Sequence, residues 1–296
     1  MKRIALPVFA SLAVGICTTY ASAQAKKPRV PEPQLARIKA AAPTKATAKP
    51  AKPRKMLVLS YRSHNAGRFA GEAALELMAK TGAFELTFVR EESKLPEAVM
   101  PEYLKQFDAV CVNNSTGGGG KANNGKTLVE NLDAYVQAGG GLVGIHSATD
   151  NKFGAIFGGF FCGHPWHELV GVKVDDPGHT LCKAFGNKGF MVTDEIYQFA
   201  KIYTRDKLHI LLSLDMAKTK DKGKRQDKDN AVAWVKSHGK GRIFYCSLGH
   251  RPDIFEIPML MQFYLDGIQY ALGDIQGADT TPSAKLAQQP KPALAP

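Results

Sequence analysis

Short apolar runs alternate with amphipathic segments along the middle of the chain. Residues 56–60, 84–89 and 108–114 are apolar or β-branched runs that end in polar or turn residues, which is typical of buried strands. Between the first two, residues 70–80 place apolar side chains on one helical face, and Gly82 ends that helix. Strands that alternate with helices at this spacing predict an α/β fold with a doubly wound, mainly parallel sheet and helices on both faces.

The alternation continues to a strand that ends in a histidine. Residues 128–137 predict an amphipathic helix, and the apolar run that begins at Gly141 leads directly into His146. In α/β proteins the carboxyl end of a central strand borders the ligand crevice, and an elbow there usually displays a nucleophilic Ser or Cys. Because an imidazole binds metals or transfers protons near neutral pH, His146 predicts a polar site without an acyl-transfer nucleophile. A structural histidine is the alternative interpretation.

The second half of the chain has a different pattern. Residues 158–168 are rich in turn residues and are followed by a predicted strand over residues 169–174. Residues 231–235 and 243–250 predict two strands that join at a glycine turn. Residues 255–272 predict a closing helix.

The chain divides into four predicted segments. Residues 1–23 combine a basic start, an apolar run and an Ala-Ser-Ala site, which is typical of a secretory signal peptide, so we expect an exported protein, periplasmic or secreted. Residues 24–55 are rich in Ala, Lys and Pro and predict a disordered linker. Residues 56–274 suit one α/β domain, and residues 275–296 predict a flexible tail.

The formal charge of +12 is unevenly distributed. The signal contributes +2, the linker +9 and the tail +1, which leaves 25 basic and 25 acidic residues between Met56 and Asp274. A neutral domain argues against a nucleic-acid partner, although the basic linker can make weak contacts with polyanions. No second apolar stretch is long enough to span a membrane, so we expect no transmembrane segment in the mature chain.

Four cysteines follow the signal. Cys111 and Cys246 lie in strand-like runs and are predicted to be buried thiols. Cys162 and Cys182 flank the histidine-rich segment, and the sequence leaves open whether they pair in an oxidising compartment.

Polar residues that follow several strands carry the candidate chemistry. His64, His146 and His250 each follow a predicted strand, so a parallel sheet would gather them along one edge, with Glu195 available beside them. We predict His146 and His250 as acid/base groups and Glu195 as the carboxylate that orients them. The predicted substrate contacts are His64, Asn113, His164, His167 and Tyr197.

The same residues suggest a divalent metal such as zinc. A catalytic zinc ion needs three protein ligands and one open position, and the candidate ligands are His146, His164, His250 and Glu195. However, the chain has no HExxH helix, and Pro165 prevents the two neighbouring histidines from sharing a helical face. A metal-free site for proton transfer therefore stays open as the alternative.

Six motifs follow one another in order between residues 56 and 273. They are Ser63-His64-Asn65, Gly144-Ile145-His146-Ser147, Gly158-Gly159-Phe160 leading to His164, Asp194-Glu195-Ile196-Tyr197, the run from Gly239 to Tyr245, and Leu248-Gly249-His250. As an ordered set they resemble the ThuA-like family, named for trehalose utilisation, of the class I glutamine amidotransferase-like superfamily.

The resemblance implies a flavodoxin-like core and a role in bacterial sugar catabolism, including disaccharides oxidised to keto-sugars. Amidotransferases carry a cysteine at the elbow where this chain has His146, so glutamine hydrolysis is not expected. We expect either a sugar-processing enzyme of the hydrolase or lyase type, acting on a keto-sugar or disaccharide, or a non-catalytic carbohydrate-binding module. A wall- or membrane-associated accessory protein that uses the basic linker is the third alternative.

Overall fold

The computed structural model describes residues 29–62, 65–116, 120–149, 152–200 and 203–286. The helices are α1 (Glu32–Ala41), α2 (Ala66–Ala79), α3 (Leu95–Ala98), α4 (Pro101–Leu104), α5 (Leu128–Gln137), α6 (Gly154–Phe157), α7 (Pro258–Leu272) and α8 (Ser283–Leu286). The strands are β1 (Lys55–Leu59), β2 (Glu85–Val89), β3 (Ala109–Asn113), β4 (Gly141–Ile145), β5 (Phe160–Trp166), β6 (Leu169–Val174), β7 (Phe190–Thr193), β8 (Ile196–Ala200), β9 (His209–Leu214), β10 (Ala231–His238) and β11 (Gly241–Cys246). The predicted signal peptide, residues 1–23, lies outside the described residues.

Nine strands form one mixed sheet in the order β2-β1-β3-β4-β11-β10-β9-β6-β7. The five strands from β2 to β11 run parallel to their neighbours, and the remaining four extend the sheet with antiparallel pairs. β5 and β8 form a separate antiparallel pair. The predicted flavodoxin-like α/β class is confirmed, and the antiparallel extension is the part that the alternation of strands and helices did not predict.

Helices cover both faces of the sheet because successive strand residues point to opposite sides. Met56 and Val58 of β1 pack in the core beneath α1, α2 and α7. Leu57 and Leu59 pack on the opposite face, in the core beneath α3, α4, α5 and α6. The central strand β4 is buried along its whole length, so the residue that follows it is carried directly to the edge between the two layers.

The segment before β1 is ordered from residue 29, and the predicted disordered linker is wrong for residues 29–54. Its helix α1 buries Ile38 completely against the core. Arg37 pairs with Glu256 at 2.6 Å, and the backbone N–H of Thr47 donates to Gln269 at 2.8 Å. The Ala- and Pro-rich composition did not predict the bonds of Arg37 and Thr47, because their partners lie more than 200 residues away in the sequence.

The segment after α7 is also packed, and the predicted flexible tail is wrong for residues 275–286. The side chain of His209 donates from Nδ1 to the carbonyl of Thr281 at 2.8 Å, and His179 donates from Nε2 to the carbonyl of Asp279 at 2.9 Å. The backbone N–H of Ser283 reaches the carbonyl of Leu208 at 3.0 Å. These bonds hold the segment along β9.

The four described cysteines are free thiols. Cys111 and Cys246 are buried as predicted, and burial raises the pKa of Cys246 to about 12. Cys162 is exposed whereas Cys182 is buried, and the two do not pair. In the part of the chain that the structure describes, no helix has the length and apolar character needed to cross a membrane.

Candidate functional site: a carboxylate among four histidines

The elbow after β4 holds His146 in a single orientation. Its backbone adopts a left-handed conformation with φ of 50°, which is strained for a residue other than glycine. The hydroxyl of Tyr245 donates to the His146 carbonyl at 2.7 Å, and the His146 ring is buried. Nδ1 of the ring lies 2.7 Å from the carbonyl oxygen of Ser247. Because a carbonyl only accepts, Nδ1 carries a proton, and Nε2 is the ring nitrogen that faces the site.

Glu195 lies at the centre of the site, just before β8. Its Oε1 is 3.5 Å from Nε2 of His146 and 3.6 Å from Nδ1 of His250. Its Oε2 is 3.9 Å from Nδ1 of His164 and 3.8 Å from Nδ1 of His167. One carboxylate therefore faces two pairs of imidazoles. We call His146, His250 and Glu195 the inner set, and His164 and His167 the outer pair.

The outer pair comes from the small β5–β8 sheet. The pairing of these strands is irregular around Gly163, whose φ is 143°, and such bulges redirect side chains. His164 and His167 consequently lie together, with their ring nitrogens 2.7 Å apart. Their side chains are 45% and 54% exposed, against 1% for His146, so the outer pair forms the open side of the site.

Asp194 positions the loop that carries His250. Its carboxylate is buried and accepts the backbone N–H of Gly249 at 2.6 Å and that of Arg251 at 2.8 Å. The residues on both sides of His250 are thus held by the neighbour of Glu195. Sequence reasoning quoted Asp194 in a motif but gave it no role. Its place directly before Glu195 was the only available signal.

Two further residues seat the same loop, and sequence reasoning missed their role. A Cβ atom on Gly67 would lie 2.2 Å from the carbonyl oxygens of Gly249 and His250, so only glycine lets helix α2 approach this backbone. Asn114 donates from Nδ2 to the Gly249 carbonyl at 2.9 Å. The position of His250 therefore depends on elements from three distant parts of the chain.

Burial and the neighbouring rings set the electrostatics. Burial, followed by the nearby His146, lowers the pKa of His250, which favours its neutral form. Burial opposes ionisation of Glu195, but its interactions with His146, His250 and His164 outweigh that effect and hold the pKa of Glu195 below its ordinary value. At neutral pH the carboxylate of Glu195 is therefore ionised, and it faces the nitrogens of four imidazole rings.

The structure brings together five of the eight predicted site residues: His146, His164, His167, Glu195 and His250. His64 lies outside the described residues. Asn113 is fully buried and donates to Ser60 and to the carbonyl of Arg68, so its prediction as a substrate contact is corrected to a structural role. Tyr197 is also buried, with its ring 4.3 Å from that of His146, and it supports this ring rather than facing the open side.

Two groups within the described residues have the donors and spacing to hold a metal ion. One is the inner set, and the other combines the outer pair with Glu195. A depression of about 260 Å³ adjoins His164 and is lined by Cys162, Gln198 and Lys224. A larger depression of about 510 Å³ surrounds Arg29, Arg68 and Arg90, but it contains none of the five clustered site residues. The candidate site is therefore the histidine cluster and not the larger depression.

The fold and this site define a flavodoxin-like α/β protein whose strand-end crevice holds histidines and a carboxylate instead of a cysteine nucleophile. The family model for ThuA, described as trehalose utilisation, matches residues 55–271. The chain belongs to this family. No curated protein matches the sequence.

Solved structures share the fold. A protein described as ThuA-like from Bacteroides uniformis superposes with a TM-score of 0.61 at 21% identity, covering 79% of this chain and 98% of that one. A second ThuA-like protein, from Parabacteroides merdae, gives 0.57 at 16% identity, with 77% and 93% covered. A cytoplasmic protein from Salmonella typhimurium gives 0.50 at 9% identity, with 74% and 98% covered. At these identities the likeness establishes the fold alone.

Proposed function

We propose that this protein is a sugar-processing enzyme that transfers a proton to or from a keto-sugar or disaccharide, or hydrolyses it, in the histidine cleft. The family, described by trehalose utilisation, supports a role in carbohydrate metabolism. The observation that carries the proposal is the convergence of Glu195 with four imidazoles, of which His146 is buried, His250 is half-exposed and the outer pair is exposed. General acid–base chemistry needs such groups, with proton affinities near neutral pH, within reach of one substrate.

The arrangement supports catalysis more than simple binding. A binding site for sugar hydroxyls needs donors and acceptors, but it does not need a strained backbone behind one ring. The Tyr245 hydroxyl bonds the His146 carbonyl, the Ser247 carbonyl orients the ring, and the backbone has a positive φ. Backbone strain of this kind costs about 1–3 kcal/mol and concentrates at functional sites. In the proposed mechanism the outer pair contacts the sugar, and the inner set provides the reacting centre.

A saccharide panel tests the proposal. Purified protein is incubated with trehalose, other disaccharides and their keto derivatives, and both thermal shift and product formation by NMR are measured. We expect turnover of at least one compound by the wild type and loss of turnover in His250→Ala and His164→Ala. His238→Ala is the control, because His238 pairs with Asp133 at 2.6 Å at the end of β10, away from the cluster.

The outcomes separate the alternatives. A saccharide that shifts the melting temperature without being converted would show that the protein is a carbohydrate-binding module and not an enzyme. Turnover that is unchanged in both His250→Ala and His164→Ala would show that the reaction occurs elsewhere and would overturn the assignment of the site.

We also propose that the protein acts after export. The support is the basic start, apolar run and Ala-Ser-Ala site of residues 1–23. N-terminal sequencing of the protein from its native host should give a mature chain that begins near Gln24. A retained Met1 would contradict this proposal.

A further inference from the structure

The inner set has the spacing of an ion's coordination shell. Nε2 of His146 and Nδ1 of His250 are 3.2 Å apart, and Oε1 of Glu195 lies 3.5 Å from the first and 3.6 Å from the second. In a tetrahedral site with bonds of about 2.0–2.2 Å, neighbouring ligand atoms are about 3.3–3.6 Å apart. The two ring nitrogens are within hydrogen-bond reach of each other, whereas the two distances to the carboxylate are too long for good hydrogen bonds, so direct pairing does not explain the position of Glu195.

The tautomer of His146 supports the same assignment. Its Nδ1–H donates to the carbonyl of Ser247, which leaves Nε2 as the nitrogen that faces His250 and Glu195. A backbone carbonyl or carboxylate on the far nitrogen is the usual partner of a metal-binding histidine, because it fixes the ring and its protonation. Burial of His146 and support from the Tyr197 ring keep this nitrogen in place.

The outer pair is a weaker candidate for the same role. Nδ1 of His164 and Nε2 of His167 are 2.7 Å apart, a hydrogen-bond distance at which each ring satisfies the other. Both side chains are exposed, and both are farther from Glu195 than the inner rings are. These histidines lie on the exposed side of Glu195, next to the inner set.

We propose that His146, His250 and Glu195 bind one divalent transition-metal ion of the zinc class. Two imidazoles and one carboxylate suit zinc and its neighbours, whereas magnesium and calcium prefer oxygen ligands throughout. The ion would give a bound water that ionises near neutral pH. This role rests on the proposed function, but the binding of the ion does not.

Metal analysis tests the proposal without any substrate. Protein as purified is analysed for transition metals, then stripped with a chelator and titrated with Zn²⁺ and, separately, with Mg²⁺. We expect about one Zn²⁺ per chain and no saturable Mg²⁺ binding. Co²⁺ loaded in place of Zn²⁺ should give the visible absorption of a four- or five-coordinate ion.

Variants locate the site. His250→Ala and Glu195→Gln should weaken Zn²⁺ binding by at least about 100-fold, since even second-shell changes cost 10- to 100-fold. His238→Ala should bind Zn²⁺ like the wild type. Because His146 is buried and its replacement can disturb folding, the half-exposed His250 and the isosteric Glu195→Gln carry the test, with circular dichroism as the check on folding.

Three results would overturn the proposal. They are a wild type that binds no Zn²⁺, a His250→Ala variant that binds it unchanged, and binding that is lost in His164→Ala but kept in His250→Ala. Sugar turnover by a protein that binds no metal would reject the ion and leave the proposed function standing. Tight Zn²⁺ binding with no saccharide binding or turnover would reject the proposed function and leave the metal site standing.

Discussion

The carboxylate of Asp194 accepts the backbone N–H of Gly249 at 2.6 Å, and this bond joins the turn before β8, which carries Glu195, to the loop that carries His250. The second oxygen of Asp194 accepts the N–H of Arg251 at 2.8 Å. Burial raises the pKa of Asp194, so these backbone donors are what make a carboxylate acceptable there. Asp194 therefore fixes Glu195 and His250 relative to each other, although it is not a member of the inner set.

Replacing Asp194 by Asn tests this relationship. The amide nitrogen of Asn cannot accept an N–H, so one of the two backbone donors would lose its partner, at a cost of about 1–3 kcal/mol in unfolding free energy. We also expect impaired function of the site, because the His250 loop would shift. Urea denaturation measures the first effect, and saccharide turnover and Zn²⁺ binding measure the second. Asp253→Asn, in the same segment but exposed, should change stability by less than about 0.5 kcal/mol. Equal stability and equal function of the two variants would contradict the role of Asp194 in positioning the His250 loop.

Replacing Gly67 by Ala should displace the backbone of the His250 loop. The new methyl group would meet the carbonyl oxygens of Gly249 and His250 at 2.2 Å, so helix α2 or the His250 loop must move. We expect loss of turnover together with a lower melting temperature. Gly178→Ala is the control, because a Cβ there meets only Asp176 at an ordinary 3.5 Å. A fully active, stable Gly67→Ala protein would refute the close packing.

The segment before β1 should contribute to stability. Replacing the fully buried Ile38 by Ala should cost about 2–5 kcal/mol, the range for large-to-small changes in a core. Lys39→Ala, one residue further along helix α1 and exposed, should have little effect on the unfolding free energy. Chemical denaturation of the two variants provides the comparison. If both were neutral, the segment would not be packed in solution.

His179 should make stability depend on pH. Burial lowers the pKa of His179, and its Nδ1 accepts the N–H of Leu181 while Nε2 donates to Asp279. Below about pH 6.5 the unfolded chain therefore binds a proton that the folded chain resists. Stability should fall as the pH drops from about 6.5 towards the lowered pKa of the folded state, and it should level off above that window.

His179→Asn should flatten this part of the pH profile, because Asn does not titrate but can still accept from Leu181. Ser283→Ala is the matched control. Ser283 lies in the C-terminal segment that His179 contacts through Asp279, and its hydroxyl accepts the N–H of Ile210. The variant loses this bond but no titratable group. It should lower stability at every pH and leave the slope intact. Unfolding free energies between pH 5 and 7.5 measure both, and an unchanged slope in His179→Asn would assign the dependence to other residues.

The pattern of the sequence determined the local elements and the end of the central strand. Helix α5 and strand β6 lie where periodicity predicted them, and His146 follows β4 at the strand end. Apolar spacing is sufficient for this because it reflects which face of each element is buried. The same reasoning placed His146 and His250 at one edge, since both follow neighbouring strands of a parallel pair.

Only the tertiary structure decided how these residues meet. Asn113 and Asn114 are adjacent, yet the alternation of strand side chains sends the first into the core while the left-handed φ of the second directs it to the Gly249 loop. The outer pair reaches Glu195 through the pairing of β5 with β8, and Ile38 reaches the core through partners distant in sequence. Contacts of this kind depend on packing between remote segments, which no local pattern of hydrophobic and polar residues encodes.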